Sequence, residues 1–217
     1  MDKAEKFGGA LQQHLLTFNA AFPDFRLTVP TSVLHSLGEM DGGTRTFDGR
    51  EHLIFGADVM ARINPDGDAA PLFHHELFHV LHEEHFQCEP DAVWAGLWKE
   101  GLAVYISRVL NPQANHAELL LDYPHGLVAD TDARIGAAWK ELAGVLDVSG
   151  QRINSELFTT SVKDASLPIR RGYYLGYLIA KEAGRTRDLP ALAALDCRQA
   201  RALVEAAVNK LAKDSAP

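Results

Sequence analysis

Residues 72–80 read Leu-Phe-His-His-Glu-Leu-Phe-His-Val and contain the pattern His75-Glu76-x-x-His79. On an α-helix two residues four apart are offset by about 40° and leave the same face. Two neutral imidazoles placed that way can share one zinc ion. Glu76 follows His75 directly, so its carboxylate lies beside such a metal rather than on it. From there it can take a proton from an attacking water, the arrangement of a metal-assisted hydrolase. Leu77 and Phe78, between the histidines, favour a buried helix and a partly dry site.

A hydrolytic zinc site takes three protein ligands and keeps one position open. The sequence offers two candidates for the third. Glu100 lies in Trp98-Lys99-Glu100-Gly101-Leu102-Ala103, twenty-one residues beyond His79. A second helix crossing the first can present it, with Gly101 and Ala103 allowing close approach. His85 completes a His-Glu-x-x-His-x-x-His-x-x-His run with His82. On an unbroken helix, however, it points roughly 80° away from His75. The run is similar in ligand spacing to the metzincins, but there a glycine turns the chain at the place His82 occupies and a methionine turn follows downstream, whereas Met1, Met40 and Met60 all precede the motif here. Glu100 is the preferred ligand, with His82 beside the site or on a solvated face.

The motif followed by the Trp98–Ala103 block resembles the gluzincin metallopeptidases, whose aminopeptidases carry a similar Trp-Leu-Asn-Glu-Gly-Phe-Ala block. Arg170-Arg171-Gly172-Tyr173-Tyr174-Leu175-Gly176-Tyr177 resembles a helix in a family of small zinc-dependent proteases of unknown function. The resemblance implies a zincin-like fold, one Zn2+ held by His75, His79 and Glu100, and a peptide or protein substrate. It also implies an oxyanion donor from a late segment: Tyr173 first, then Tyr174 and Tyr177. Lys99 stands where the aminopeptidases carry asparagine, and their glycine-rich exopeptidase motif is missing, so aminopeptidase specificity does not carry over.

Other groups have weaker claims. Arg170 or Arg171 could hold a substrate carboxylate, although charges at a helix start are usually solvated. His125, in a Pro-His-Gly loop, is an alternative donor. His52–Phe55, on the resemblance, would be an edge strand that pairs with an extended peptide.

These side chains need a scaffold. Residues 3–21 have helical periodicity, ended by Pro23. Phe25–Val29 alternates as a strand does, and Val33–Leu37 reads as another short strand. Thr44–Phe47 and His52–Phe55 flank Asp48-Gly49, a hairpin signal. Gly42-Gly43 and Asn64-Pro65-Asp66-Gly67-Asp68 are breakers. Pro71 fits the first turn of a helix through His85, ended at Cys88-Glu89-Pro90. Further helices are expected over 92–110, 131–146, 169–183 and 198–213, with 111–130 mostly irregular. The expectation is one α+β domain over 1–217, with a small mixed or antiparallel N-terminal sheet and then a helical majority.

Composition narrows the function. The 217 residues carry 47% hydrophobic side chains and a formal charge of −8. An acidic chain without a basic stretch suits neither nucleic acid nor an anionic membrane. No segment approaches the roughly 20 apolar residues of a membrane span, and the first residues lack a secretory apolar core. Cys88 and Cys197 read as free thiols, which points to the cytoplasm. Against the hydrolase stands a non-catalytic zincin-fold peptide-binding or regulatory module. Glu76 argues against that alternative, because a purely structural metal needs no neighbouring base.

Overall fold

The computed structural model describes residues 2–63, 68–88 and 92–215. The chain is α+β: among the described residues it forms a three-stranded mixed sheet and a helical majority. It divides into two compact units, residues 1–84 with 106–120, and residues 85–105 with 121–217. The breakers expected at Asn64–Gly67 and Glu89-Pro90 lie outside the described residues.

The first unit holds α1 (Asp2–Ala21), β1 (Thr31–Leu34), β2 (Gly42–Phe47), β3 (Arg50–Gly56), α2 (Ala57–Ile63) and α3 (Ala70–Glu83). The strand order is β1-β3-β2, with β1 parallel and β2 antiparallel to β3. Asp48 and Gly49 both have positive φ, 49° and 72°, as a two-residue hairpin turn requires. β3 is therefore central, which corrects the expectation of an edge strand at His52–Phe55. Leu53, Ile54, Phe55 and Gly56 are buried in succession, the mark of a strand covered on both faces rather than one. β2 is the edge nearer the His-Glu-x-x-His helix.

Phe25–Val29 forms no strand. Phe25 instead closes an aromatic cluster at the end of α1, 5.0 Å edge-on from Phe18, which packs 4.8 Å from Phe22. Strand β1 starts at Thr31 and ends at Leu34, before the left-handed pair Leu37 and Gly38. α2 follows β3 without any breaker, and Asp58 in its first turn ties back the 36–40 loop. Its carboxylate accepts from Ser36 N and Gly38 N, each at 2.7 Å, and from Ser36 Oγ at 3.0 Å.

The second unit is helical. It holds most of α4 (Val93–Leu110), then α5 (Leu127–Asp132), α6 (Ile135–Val145), α7 (Gln151–Phe158), α8 (Arg171–Ala183), α9 (Leu189–Ala193) and α10 (Cys197–Asp214). α4 and α8 cross at a pair of glycines. A Cβ on Gly101 would lie 2.1 Å from the Gly176 carbonyl carbon, so no side chain fits. Phe158 fills the space left by Gly96 and Gly172, where an added Cβ would come within 2.8 and 2.6 Å of its ring.

Two expectations fail in this unit. Arg171 is not a solvated charge at a helix start. It is fully buried, bonded to Glu141 and to the Pro168 carbonyl, with Glu156 at 3.7 Å. Arg170 has a left-handed backbone and stacks over Tyr173 and Tyr123, 4.3 and 5.5 Å from the ring centres. Nor are the cysteines free. Cys88, in the stretch before α4, is bonded to Cys197 at the start of α10, with Cα atoms 5.6 Å apart. Separation along the chain said nothing about their separation in space, and the bonded pair removes the argument for a reducing compartment. No helix among the described residues is long and apolar enough to cross a membrane.

Candidate metal centre

α3 begins without a side-chain cap but with Pro71 in its first turn. Every residue from Ala70 to Val80 is buried, so the helix is enclosed on all sides and its polar residues must find partners indoors. His75, Glu76 and His79 are 4, 5 and 8% exposed. Their helical spacing brings the rings of His75 and His79 to 4.7 Å between centres, nearly perpendicular, with the two Nε2 atoms 3.0 Å apart. Two imidazole lone pairs repel, so this approach requires a proton or a cation between them.

Glu100 supplies the third group. One ligand atom each from His75, His79 and Glu100 lie within 4.8 Å of one another, the one such group among the described residues. The residues fit a metal. Nitrogens bound at 2.0–2.1 Å around a tetrahedral ion stand about 3.3 Å apart, close to the spacing seen here. Two imidazoles and one carboxylate also match the three-ligand set that leaves a fourth position open.

The position of Glu100 follows from α4. Ser107, two turns further along the same helix face, donates its hydroxyl to the Pro71 carbonyl at 2.7 Å. His74 adds a second tie. Its Nδ1 accepts from Asn111 Nδ2 at 2.8 Å, its Nε2 lies 3.2 Å from the His14 carbonyl, and Asn111 also donates to Ser107 O. Burial and the neighbouring His14 lower the His74 pKa to about 4, despite both hydrogen bonds. The ring is neutral, accepting at Nδ1 and donating at Nε2, and it fixes the rotation of α3 that aims its neighbour His75.

Glu76 packs beneath the edge strand. A Cβ on Gly42 would lie 2.7 Å from Glu76 Cγ and 2.9 Å from its Cδ and Oε1. That glycine at the start of β2 leaves room for the carboxylate. Sequence reading saw Gly42 only as a breaker and gave no role to His74, Ser107 or Asn111. The adjacent His74-His75 pair and the Asn111-Pro112 helix stop were the available signals.

The remaining candidates separate. His85 is exposed beyond the end of α3 and outside the ligand group. His82 is buried and stacks on Phe78, 4.9 Å between ring centres, rather than facing solvent. Tyr174 donates its hydroxyl to Asp132 at 2.9 Å; burial first, and then that carboxylate, raise its pKa. Tyr177 lies 6.4 Å from the Tyr105 ring. Tyr173 stands edge-on to Phe158 at 6.0 Å. Phe158 in turn lines a cavity of about 630 Å³ whose wall includes Lys99, Glu100, Gln151, Asn154 and Ser155. Of the three tyrosines, Tyr173 is thus linked most directly to the surroundings of Glu100. His125 is solvent-exposed and bonded to Asp122 at 2.8 Å.

No family model matches this chain, and comparison with curated proteins and with solved structures finds no significant match.

Proposed function

We propose that this protein is a zinc-dependent hydrolase of zincin-like fold that cleaves amide bonds in peptides. The observation that carries the reading is the convergence of His75, His79 and Glu100 with a buried acid, Glu76, one residue from the first ligand. A bound zinc ion would supply Lewis acidity, polarising the scissile carbonyl and easing ionisation of the attacking water. His75 and His79 would hold it through Nε2, which requires each ring to carry its proton on Nδ1. Glu76 takes the proton of the water and passes it to the leaving amine. Its enclosure below β2 keeps bulk water from competing for that proton.

The edge of β2, beginning at Gly42 above Glu76, is where an extended substrate can add as a further strand. This role moves from β3, whose two sides are already paired. Tyr173 is the first choice for stabilising the oxyanion, because it packs on Phe158, which shares a cavity wall with Glu100.

The test is metal content and peptide hydrolysis of the purified wild type, Glu100→Ala and Glu76→Gln proteins. The expected result is about one zinc per wild-type chain and a large loss of zinc in Glu100→Ala. Glu76→Gln should keep its zinc and hydrolyse about 10²–10⁴-fold more slowly. Full zinc affinity without Glu100 removes it as a ligand. Zinc uptake with no turnover on a broad peptide library replaces the hydrolase with a binding module.

A further inference from the structure

Two arginines stand at the start of α8, and their charges are met in different ways. Arg171 is paired with carboxylates, whereas the guanidinium of Arg170 lies over the faces of Tyr173 and Tyr123, 4.3 and 5.5 Å from the ring centres. Its Nε is shut away from water and has no hydrogen-bond partner among the described residues. The negative π faces attract the cation and offset the loss of water at that nitrogen. The backbone fixes the aim of the side chain. Arg170 N donates to Glu156 O at 2.8 Å, Arg170 O accepts from Tyr173 N at 3.1 Å, and φ is 63°. A left-handed backbone is uncommon for a residue with a Cβ, and the surrounding bonds must hold that strain.

The consequence falls on Tyr173. Its ring has the guanidinium over one face and Phe158 edge-on at 6.0 Å. Phe158 is itself fixed, because it fills the space beside Gly172, and it lines the cavity that Glu100 also lines. The other tyrosines of the helix are held differently. Tyr174 gives its hydroxyl to Asp132, and the Lys181 ammonium stands 6.0 Å from the Tyr177 ring centre. A planar guanidinium can stack on a ring and fix its plane, which a point charge does not do. A cation over a phenol also draws electron density from it. That strengthens the hydroxyl as a donor to an oxygen gaining negative charge.

We propose that Arg170 is a positioning residue for the hydrolysis: it holds the Tyr173 ring and strengthens its hydroxyl as the donor to the tetrahedral oxyanion. The inference rests on the metal-hydrolase reading above. Arg170 acts through the ring and not on the substrate. Its contribution therefore arises as charge develops on the oxyanion, so its loss should lower kcat and leave KM in place.

The test is a double-mutant cycle of Arg170→Met and Tyr173→Phe in the full-length protein, with Arg170→Lys as the variant that keeps the charge. Zinc content, peptide hydrolysis and affinity for a phosphinic peptide, whose anionic tetrahedral centre mimics the intermediate, are measured on each. Arg170→Met should keep its zinc and hold KM within about twofold. It should lose about ten- to a hundredfold in kcat and in phosphinic-peptide affinity. Arg170→Lys should recover part of that loss. In the Tyr173→Phe protein, Arg170→Met should cost less than about twofold further, because no hydroxyl is left to aim. Additive losses overturn the proposal, and so does wild-type kcat in a folded Arg170→Met protein. Should Arg170→Met fail to fold, Tyr123→Leu removes the second ring at an exposed position and should show the same loss confined to kcat. Unchanged kcat in that variant overturns the proposal as well. The two readings fail separately. Wild-type kcat in Tyr173→Phe removes the donor and the role of Arg170, and leaves the zinc hydrolase standing. Flipping of the Tyr173 ring, followed by NMR on the zinc-free protein, should quicken at least about tenfold in Arg170→Met. Quicker flipping in a protein that takes up no zinc and cleaves no peptide keeps the clamp and removes the hydrolase.

Discussion

Glu76 is useful as a base only if its carboxylate is held beside the ligands and not on them, and Gly42 is the residue that makes the space. An added Cβ at Gly42 would press on three atoms of the Glu76 side chain at 2.7–2.9 Å. A buried carboxylate under a strand backbone cannot swing far, so Gly42→Ala should push Glu76 out of line. Overpacking of this kind costs about 1–3 kcal/mol. The expected signature is zinc content near that of the wild type with peptide hydrolysis reduced at least about tenfold. An unchanged rate would mean that Glu76 tolerates displacement or takes no part. Asp58 gives a second prediction at this scale. Burial pushes its carboxyl up, but hydrogen bonds from the Ser36 and Gly38 backbones and the Ser36 hydroxyl outweigh that and hold it well below the usual range. A depressed folded pKa means stabilisation that is complete above the unfolded value, about 3.9, and lost as pH falls toward the folded value. The 36–40 loop should therefore loosen below roughly pH 4, and Asp58→Asn should flatten that part of an acid-unfolding curve. Parallel curves for the two proteins would count against the clasp.

Helix α3 was legible because its chemistry and its start signal coincide: Pro71 opens it, and the ligands repeat at four residues inside an apolar run. The Glu100 helix was legible for a similar reason, since Asn111-Pro112 stops it and the Trp98–Ala103 block places the acid. The strands were harder. Phe25–Val29 alternates, yet Phe25 belongs to the core at the end of α1, and a period of two over five residues cannot distinguish a strand from a chain leaving a helix. Leu53–Gly56 carried the signal of a central strand in its unbroken apolar run, but the hairpin signal and the resemblance drew attention to its role as an edge. α2, α7 and α9 span only 7, 8 and 5 residues, too short to declare a period. Where two long helices meet, the sequence shows small residues without saying what they face. The crossing of α4 and α8 rests on Gly101 and Gly176, and their contact is backbone against backbone, so no flexible side chain can yield. Gly176→Ala should lower the unfolding free energy by about 1–3 kcal/mol or more, since added atoms meet Leu97 O at 2.5 Å. Ser107→Ala is the milder probe of the same helix. It leaves the buried Pro71 carbonyl without its hydroxyl donor, at a cost of about 1–2 kcal/mol. Because Ser107 sits on the face that presents Glu100, it should also weaken zinc binding. A stability loss with unchanged zinc affinity would separate the hydroxyl from the site.

At the scale of the molecule, the disulfide is the feature that residue types alone could not give. Two cysteines 109 positions apart carry no pairing information until the helices are arranged. Cys197 is the first residue of α10, inside the Asp196–Gln199 capping box, so its position is set by that helix start. Cys88 lies between α3, which bears both histidines, and α4, which bears Glu100. A bond closing so long a loop removes much of the freedom of the unfolded chain. The chain-entropy account gives close to 5 kcal/mol for about 100 residues, and measured values are usually 2–4 kcal/mol. The doubly substituted Cys88→Ser, Cys197→Ser protein should therefore unfold at lower denaturant concentration by an amount equivalent to about 2–4 kcal/mol. Treating the wild type with a thiol reductant should move it to the same midpoint. The comparison must be made with zinc removed by a chelator, because metal binding stabilises the folded state by mass action and would mask part of the loss. If reductant leaves the wild-type midpoint in place while the double variant is destabilised, serine at these half-buried positions is the cause and the covalent link contributes little. If neither changes the midpoint, α10 and the stretch before α4 are held together by packing alone. In that case the cysteines no longer bear on where in the cell the chain folds.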